Sequence, residues 1–124
     1  MTSVSVIGSG AWGTTLSQVL CDAGNDVLIW GRDHDVIAEI AKKRTNEKFI
    51  PGARLPENLN ATTEIEVALA VAEVVVLAVP AQTLRANLLN WKAFFPTNKP
   101  IISSLKGIEI QSNLRMSEVV RDCI

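Results

Sequence analysis

The chain has 124 residues, 48% hydrophobic and 20% charged, with a formal net charge of -1 at pH 7; that length predicts one compact domain with a real core. Its 12 basic and 13 acidic residues exclude a strongly basic nucleic-acid binder and an acidic tail protein. With 5% aromatic residues and no tyrosine it offers no stacking platform for single strands, and 7 glycines and 5 prolines are too few for a low-complexity linker.

Val4-Ser5-Val6-Ile7 is rich in β-branched residues and stops at Gly8, which predicts a first strand. From Trp12 to Ala23 the apolar positions Leu16, Val19, Leu20 and Ala23 recur at helical spacing, and Gly24 suits the C-terminal cap. Val27-Leu28-Ile29-Trp30 reads as a second strand, continuous as expected when both sheet faces are covered. Asp35 is expected to cap a helix with an apolar stripe of Val36, Ile37, Ile40 and Ala41. Thr45 to Asn60 breaks the rhythm with Pro51, Gly52 and Pro56, a loop long enough to suggest a task of its own. Thr62 or Thr63 then caps a helix through Ala70, with Glu66 placed for a capping box. Val74 to Val79 is a strand ended by Pro80, and a helix is expected from about Thr83 to Phe94 with Leu84, Leu88, Leu89 and Trp91 inward. Ile101 to Leu105 makes a fourth strand, and Ser112 is expected to cap a last helix through Val120.

This alternation predicts an α/β fold: a doubly wound, Rossmann-type parallel sheet filling residues 1–124, with helices on both faces. Ligands of such sheets lie beyond the carboxyl ends of the strands, so the useful residues should follow Ile7, Trp30, Val79 and Leu105.

After the first strand stands Gly8-Ser9-Gly10-Ala11-Trp12-Gly13, a GxGxxG run that opens a predicted helix. Gly8 allows a tight turn, Gly10 lets the backbone approach a pyrophosphate, and Gly13 lets the helix pack close on the strand. The helix start adds unpaired N–H groups and the positive end of its dipole. At the end of the second strand Arg32 follows Gly13 by 19 residues (32 − 13). Its guanidinium suits the 2′-phosphate of NADPH and favours NADP, with NAD left open. Asp33 has two readings, a contact to a free ribose hydroxyl or a helix cap. Pro80 either aims the chain at the crevice or simply ends the strand. Lys106, before Gly107, can reach an anionic substrate or carbonyl, or else snorkels from a buried strand's end. Trp12 covers the cofactor, faces a second domain, or belongs to the core.

Cys21 and Cys123 lack metal-ligand spacing and the chain has a single histidine, His34, expected as a solvated residue near a cap, so no metal site is predicted. Cys21 reads as a small buried hydrophobe. No basic, apolar leader and no run long enough to cross a membrane is visible, which with free thiols points to the cytoplasm.

The Gly8 to Thr14 run, Leu28 to Asp33, and Asn46-Glu47-Lys48-Phe49-Ile50-Pro51-Gly52 together resemble bacterial NAD(P)-dependent glycerol-3-phosphate dehydrogenases. The resemblance continues through Leu55-Pro56, Ala61-Thr62-Thr63, Leu77 to Gln82 and Lys106-Gly107-Ile108-Glu109, covering nearly the whole chain. It implies reduction of dihydroxyacetone phosphate to sn-glycerol 3-phosphate with NADPH or NADH, for phospholipid synthesis. It further implies that Trp12, Arg32 and Phe49 line the cofactor site and that Lys106 lies where nicotinamide and substrate meet. Ala11 lacks the hydroxyl that some members place after the second glycine. The helical second domain of that family, with its catalytic lysine and substrate-phosphate groups, is not represented among these residues. The chain is therefore expected to be an isolated cofactor-binding domain, inactive alone, and a homo-oligomer of the full-length form is left open. A non-catalytic dinucleotide-binding module and a ketopantoate reductase-like enzyme are the alternatives. The Asn46 to Gly52 loop and the Lys106-Gly107 pair speak against the latter.

Overall fold

A computed structural model describes residues 1–124. Five strands, β1 (Ser3–Ile7), β2 (Asp26–Trp30), β3 (Asn60–Thr62), β4 (Val74–Leu77) and β5 (Ile101–Ser103), form one sheet in the order β3-β2-β1-β4-β5. All four pairings are parallel. Five helices connect or follow them: α1 (Ala11–Asp22), α2 (His34–Lys43), α3 (Ile65–Val71), α4 (Leu84–Trp91) and α5 (Met116–Cys123). This is the doubly wound order, and strand order reverses between β1 and β4, where such sheets open a crevice.

Alternate residues of β1, β2 and β4 feed two cores. Val4, Val6, Val27, Ile29 and Val76 pack with Val36, Ile37 and Ile40 of α2 on one face. Ile7, Trp30, Val75 and Leu77 pack on the other with Leu69 of α3, Leu84, Leu88 and Trp91 of α4, and Val119 of α5. Both faces of the central strands are thus dry, which is why β2 and β4 read as nearly unbroken apolar runs. Burying each such aliphatic side chain contributes roughly 1.5–3 kcal/mol. Ser5 is the polar exception, fully buried, and its hydroxyl donates to the Ala68 carbonyl at 2.5 Å.

Several sequence expectations are corrected. β3 lay unrecognised inside the Thr45–Asn60 irregular stretch and the threonines after it. It is too short for a pattern and exists because Leu28, Ile29 and Trp30 offer it a free edge. β4 ends at Leu77 rather than Val79, and β5 at Ser103 rather than Leu105, because Leu77 and Ser103 are their last paired residues. β5 is an edge strand with Ile102 51% exposed, so Lys106 does not follow a buried strand. α2 is capped by Asp33, not Asp35: its Oδ1 accepts from Asp35 N at 2.9 Å and Val36 N at 3.4 Å. α3 starts after Glu64, because Thr62 is held in β3 and its hydroxyl accepts from Glu64 N at 3.0 Å. α5 starts at Met116 after Arg115, while Ser112 lies in a preceding turn and hydrogen-bonds Glu109 at 2.5 Å. The fourth helix is shorter than expected, flanked by single tight turns at Ala81–Thr83 and Lys92–Phe94.

Two helix faces also differ from the apolar periodicity. In α1 the buried residues are Gly13, Thr14, Ser17 and Cys21, whereas Val19 is exposed. Small residues are required there because the helix lies close against the turn that precedes it. In α4 the inward set is Leu84, Asn87, Leu88 and Trp91, and Leu89 faces out.

Candidate functional site

The crevice over the carboxyl ends of β1 and β4 has a volume of about 850 Å³, within the range of roughly 300–1,000 Å³ usual for small-molecule sites. Its floor is the turn from β1 into α1. Gly8 sits at φ +132°, and a Cβ there would strike the Ala78 carbonyl just after β4 alongside. A Cβ on Gly13 would strike the Gly8 carbonyl. These two glycines therefore permit the close turn itself. Gly10 differs: a Cβ built there meets nothing within 4 Å, so its open side faces the crevice. No side chain caps α1, leaving its first-turn N–H groups and dipole directed at that space. An anionic group can sit there at close range, and the cradle fits a pyrophosphate.

The turn is buttressed from behind. Asn46, fully buried, donates through Nδ2 to the Ser9 carbonyl at 3.1 Å and to the Thr14 hydroxyl at 2.9 Å. Thr14 also donates to the Ser9 carbonyl, at 3.2 Å. The segment bearing Asn46 is anchored by Leu55 and Leu59, both buried in the α2-side core. Its structural task is thus to hold the phosphate-side turn and to bring Lys48 and Phe49 to the crevice rim.

At the end of β2, Gly31 packs so tightly that a Cβ would strike the Ser9 side chain. Arg32 and Asp33 follow, both exposed and both lining the crevice. Asp33 is engaged on two sides: Oδ1 caps α2, and Oδ2 faces the Lys48 ammonium at 3.4 Å. Hydrogen bonds from the backbone N–H of Val36 and Asp35, then the Lys48 ammonium, hold its carboxyl below the usual carboxylate range. Lys48 also stands 5.4 Å from the centre of the Phe49 ring. Arg32 reaches the other way, donating from Nη2 to Asn87 Oδ1 of α4 at 2.6 Å.

The far wall comes from the segments after β4 and β5. Pro80 lines the crevice with Ala81 and Thr83. Ser104 donates its hydroxyl to the Leu77 carbonyl at 2.6 Å, fixing the turn that presents Lys106. Gly107, at φ +104°, turns the chain away immediately afterwards. Trp12 projects from the first turn of α1 with 55% of its surface exposed, so it is no core residue.

Of the residues singled out from sequence, Gly8, Ser9, Gly10, Ala11, Trp12, Arg32, Asp33, Phe49, Pro80 and Lys106 all line this one crevice. Gly13 does not; it lies beneath, as a packing residue. Sequence reasoning missed Lys48, Thr83 and Asn87 on the walls and Asn46 behind the floor. The available signal for Asn87 was a polar residue inside the apolar stripe Leu84, Leu88, Trp91. Cys21 and Cys123 are buried, unpaired and remote from the crevice walls, and burial raises both thiol pKa values. No group of acidic, histidine or cysteine side chains is placed to hold a metal ion, and no helix is long and apolar enough to cross a membrane.

Comparison with known proteins followed the same line. The sequence profile described as NAD-dependent glycerol-3-phosphate dehydrogenase N-terminus matches residues 3–124. The chain is 46% identical over 122 residues to glycerol-3-phosphate dehydrogenase (NAD(P)+) of Corynebacterium glutamicum strain R, covering 98% of this chain and 37% of that protein. It is 49% identical over 119 residues to the enzyme of the same description from Corynebacterium diphtheriae, covering 96% and 36%. Among solved structures, glycerol-3-phosphate dehydrogenase of Plasmodium falciparum superposes with a TM-score of 0.90 at 25% identity, covering 99% of this chain and 38% of that one. The chain thus spans a little over a third of the length of the curated relatives it matches.

Proposed function

The chain belongs to the NAD-dependent glycerol-3-phosphate dehydrogenase family, as its N-terminal part, and on that premise we propose that it binds NADPH, and less tightly NADH, across the β1–β4 crevice. The observation that carries this reading is the uncapped start of α1 beside Gly10, open to a crevice with Arg32 on its rim and Lys106 on its far wall. The pyrophosphate rests on the N–H groups of the Gly8–Gly13 turn, with Ser9, Ala11 and Trp12 around it. The adenosine end lies towards Arg32, whose guanidinium pairs with a 2′-phosphate. Asp33 caps α2 through Oδ1, which accepts from two backbone N–H groups, and its Oδ2, beside the Lys48 ammonium, stays open to a ribose hydroxyl. Phe49 and Pro80 close the sides.

In the whole protein this domain serves the interconversion of dihydroxyacetone phosphate and sn-glycerol 3-phosphate, in the cytoplasm and in support of phospholipid synthesis. When bound, the dihydronicotinamide would supply the hydride for reduction of the ketone carbon. Lys106, exposed at the end of the far wall, offers its ammonium to the carbonyl oxygen as negative charge develops there. The groups that grip the substrate phosphate and donate the proton lie, on this reading, in the remaining length of the enzyme.

Calorimetric titration with NADPH and NADH tests the assignment. Gly10→Val, whose Cβ meets nothing within 4 Å and whose methyls enter the cradle, is expected to abolish binding of both. Unchanged affinity in that variant would reduce the glycine run to an ordinary turn.

A further inference from the structure

Asn87 is a buried amide, 7% exposed, on a helix face otherwise made of Leu84, Leu88 and Trp91. Those three neighbours all belong to the apolar core, so the amide is the polar exception on that face. A buried amide is costly unless its hydrogen bonds are made. They are: Oδ1 accepts from Arg32 Nη2 at 2.6 Å, and Nδ2 donates to Thr83 Oγ1 at 3.4 Å. Thr83 in turn donates to the Pro80 carbonyl at 3.0 Å. These bonds run from the end of β2 to the segment after β4, across the crevice that β1 floors. They give the Arg32 guanidinium its one hydrogen bond to the protein.

The chemistry of that partner matters. The nearest carboxylate in sequence, Asp33, caps α2 and faces Lys48 instead. Arg32 is therefore held by a neutral oxygen, which fixes its planar fork while leaving the positive charge uncompensated. A carboxylate in the same place would fix it equally well and cancel the charge. A leucine would leave it loose, so that binding would have to order it.

We propose that Asn87 is a positioning residue that sets cofactor specificity, by holding the uncompensated Arg32 guanidinium in place for the 2′-phosphate of a phosphorylated dinucleotide. This rests on the dinucleotide-binding reading above and goes beyond it by assigning the discrimination to a pair of residues on separate elements.

The test compares dissociation constants of wild type, Asn87→Asp and Asn87→Leu for NADPH and NADH, and for adenosine 2′,5′-bisphosphate and adenosine 5′-monophosphate. Each ligand pair differs by the 2′-phosphate. Asn87→Asp, nearly isosteric, is expected to weaken NADPH about tenfold or more, the scale of one charge-assisted contact, while NADH changes little. Asn87→Leu is expected to lower the same ratio by a smaller factor. In an Arg32→Ala background the neutral Asn87→Leu should no longer change the ratio, which a purely structural role of Asn87 would not produce. Parallel loss for both members of each pair, or an unaltered NADPH-to-NADH ratio in a folded Asn87→Asp protein, overturns the inference and leaves the binding reading standing. Failure of wild type to bind either dinucleotide overturns both.

Discussion

Gly10 and Gly13 stand three positions apart in the same turn and fail for opposite reasons when given a side chain. Gly13 is hemmed in by the Gly8 carbonyl, and no flexible side chain is there to yield. Gly13→Ala is expected to destabilise the fold by about 1–3 kcal/mol, the usual cost of forcing an extra methyl into packed structure. A urea titration reads this, and a midpoint equal to wild type would refute the close approach of α1 to the turn. Gly10, at φ -73°, tolerates alanine both conformationally and sterically, so Gly10→Ala should unfold like wild type. Arg32 can be tested on its own. Arg32→Ala removes the cation at the crevice rim and should weaken NADPH about ten- to a hundredfold, the equivalent of roughly 1.5–3 kcal/mol for a hydrogen-bonded charge. NADH should be much less affected; equal losses for the two cofactors would contradict the assignment.

Helix starts carry the pH response of the elements. The Asp33 carboxyl is held low chiefly by the backbone N–H groups of Val36 and Asp35 at the start of α2. The Glu118 carboxyl is held low chiefly by the Arg115 backbone N–H at the start of α5. A carboxyl whose pKa is lower in the folded state contributes stability that is complete above its unfolded value, near 4. That contribution is lost as pH falls through the lowered folded value. Both helix starts should therefore loosen on the acid side, seen as faster amide hydrogen exchange at Asp35 and Val36 once intrinsic rates are corrected. Asp33→Asn keeps a capping oxygen but cannot titrate, so its α2 start should show no such acid response. An acid response of equal size in that variant would show that another group is responsible.

Across the whole molecule, α4, the segment after β5 and α5 are tied together by Arg85. Its guanidinium meets Glu109 at 3.0 Å and Asp122 at 2.6 Å, which raises the arginine's pKa and lowers that of Glu109. This clamp sits behind the wall that presents Lys106, so the wall is held from outside the crevice. Reduction of a ketone also needs the substrate fixed against the nicotinamide and a proton delivered, and such positioning is worth roughly 7–11 kcal/mol. The chain spans 37% of the length of its Corynebacterium glutamicum relative. These 124 residues are accordingly expected to bind NADPH without oxidising it when dihydroxyacetone phosphate is added. Fused to the remainder of such a relative, they should support turnover, and Lys106→Ala should then cut kcat sharply. Steady oxidation by the 124-residue chain, dependent on dihydroxyacetone phosphate, would place the catalytic groups within it.

The sequence by itself determined the three central strands, because strands covered on both faces are built of apolar residues, as β2 and β4 are along their paired cores and β1 is apart from its two serines. It determined the phosphate-side turn as well, since the φ of +132° at Gly8 and the contact of Gly13 with the Gly8 carbonyl both call for glycine and both are local. Arg32 and Lys106 were legible because in this architecture strand ends point at the crevice. The tertiary structure alone decided the rest. β3 needed the free edge of β2, and the start of α5 followed from the turn at Ile108–Arg115 rather than from the nearest serine. Asp33 became a cap because its backbone position, not its spacing, faces the first N–H groups of α2. Asn46 was silent for the same reason, and Asn87 showed only as a polar residue within an apolar stripe, with nothing to name its partner. Each acts through hydrogen bonds to residues 37 and 55 positions away, Ser9 and Arg32, and an amide's partners at that range are set by how helices and loops settle on the sheet, which no local pattern encodes.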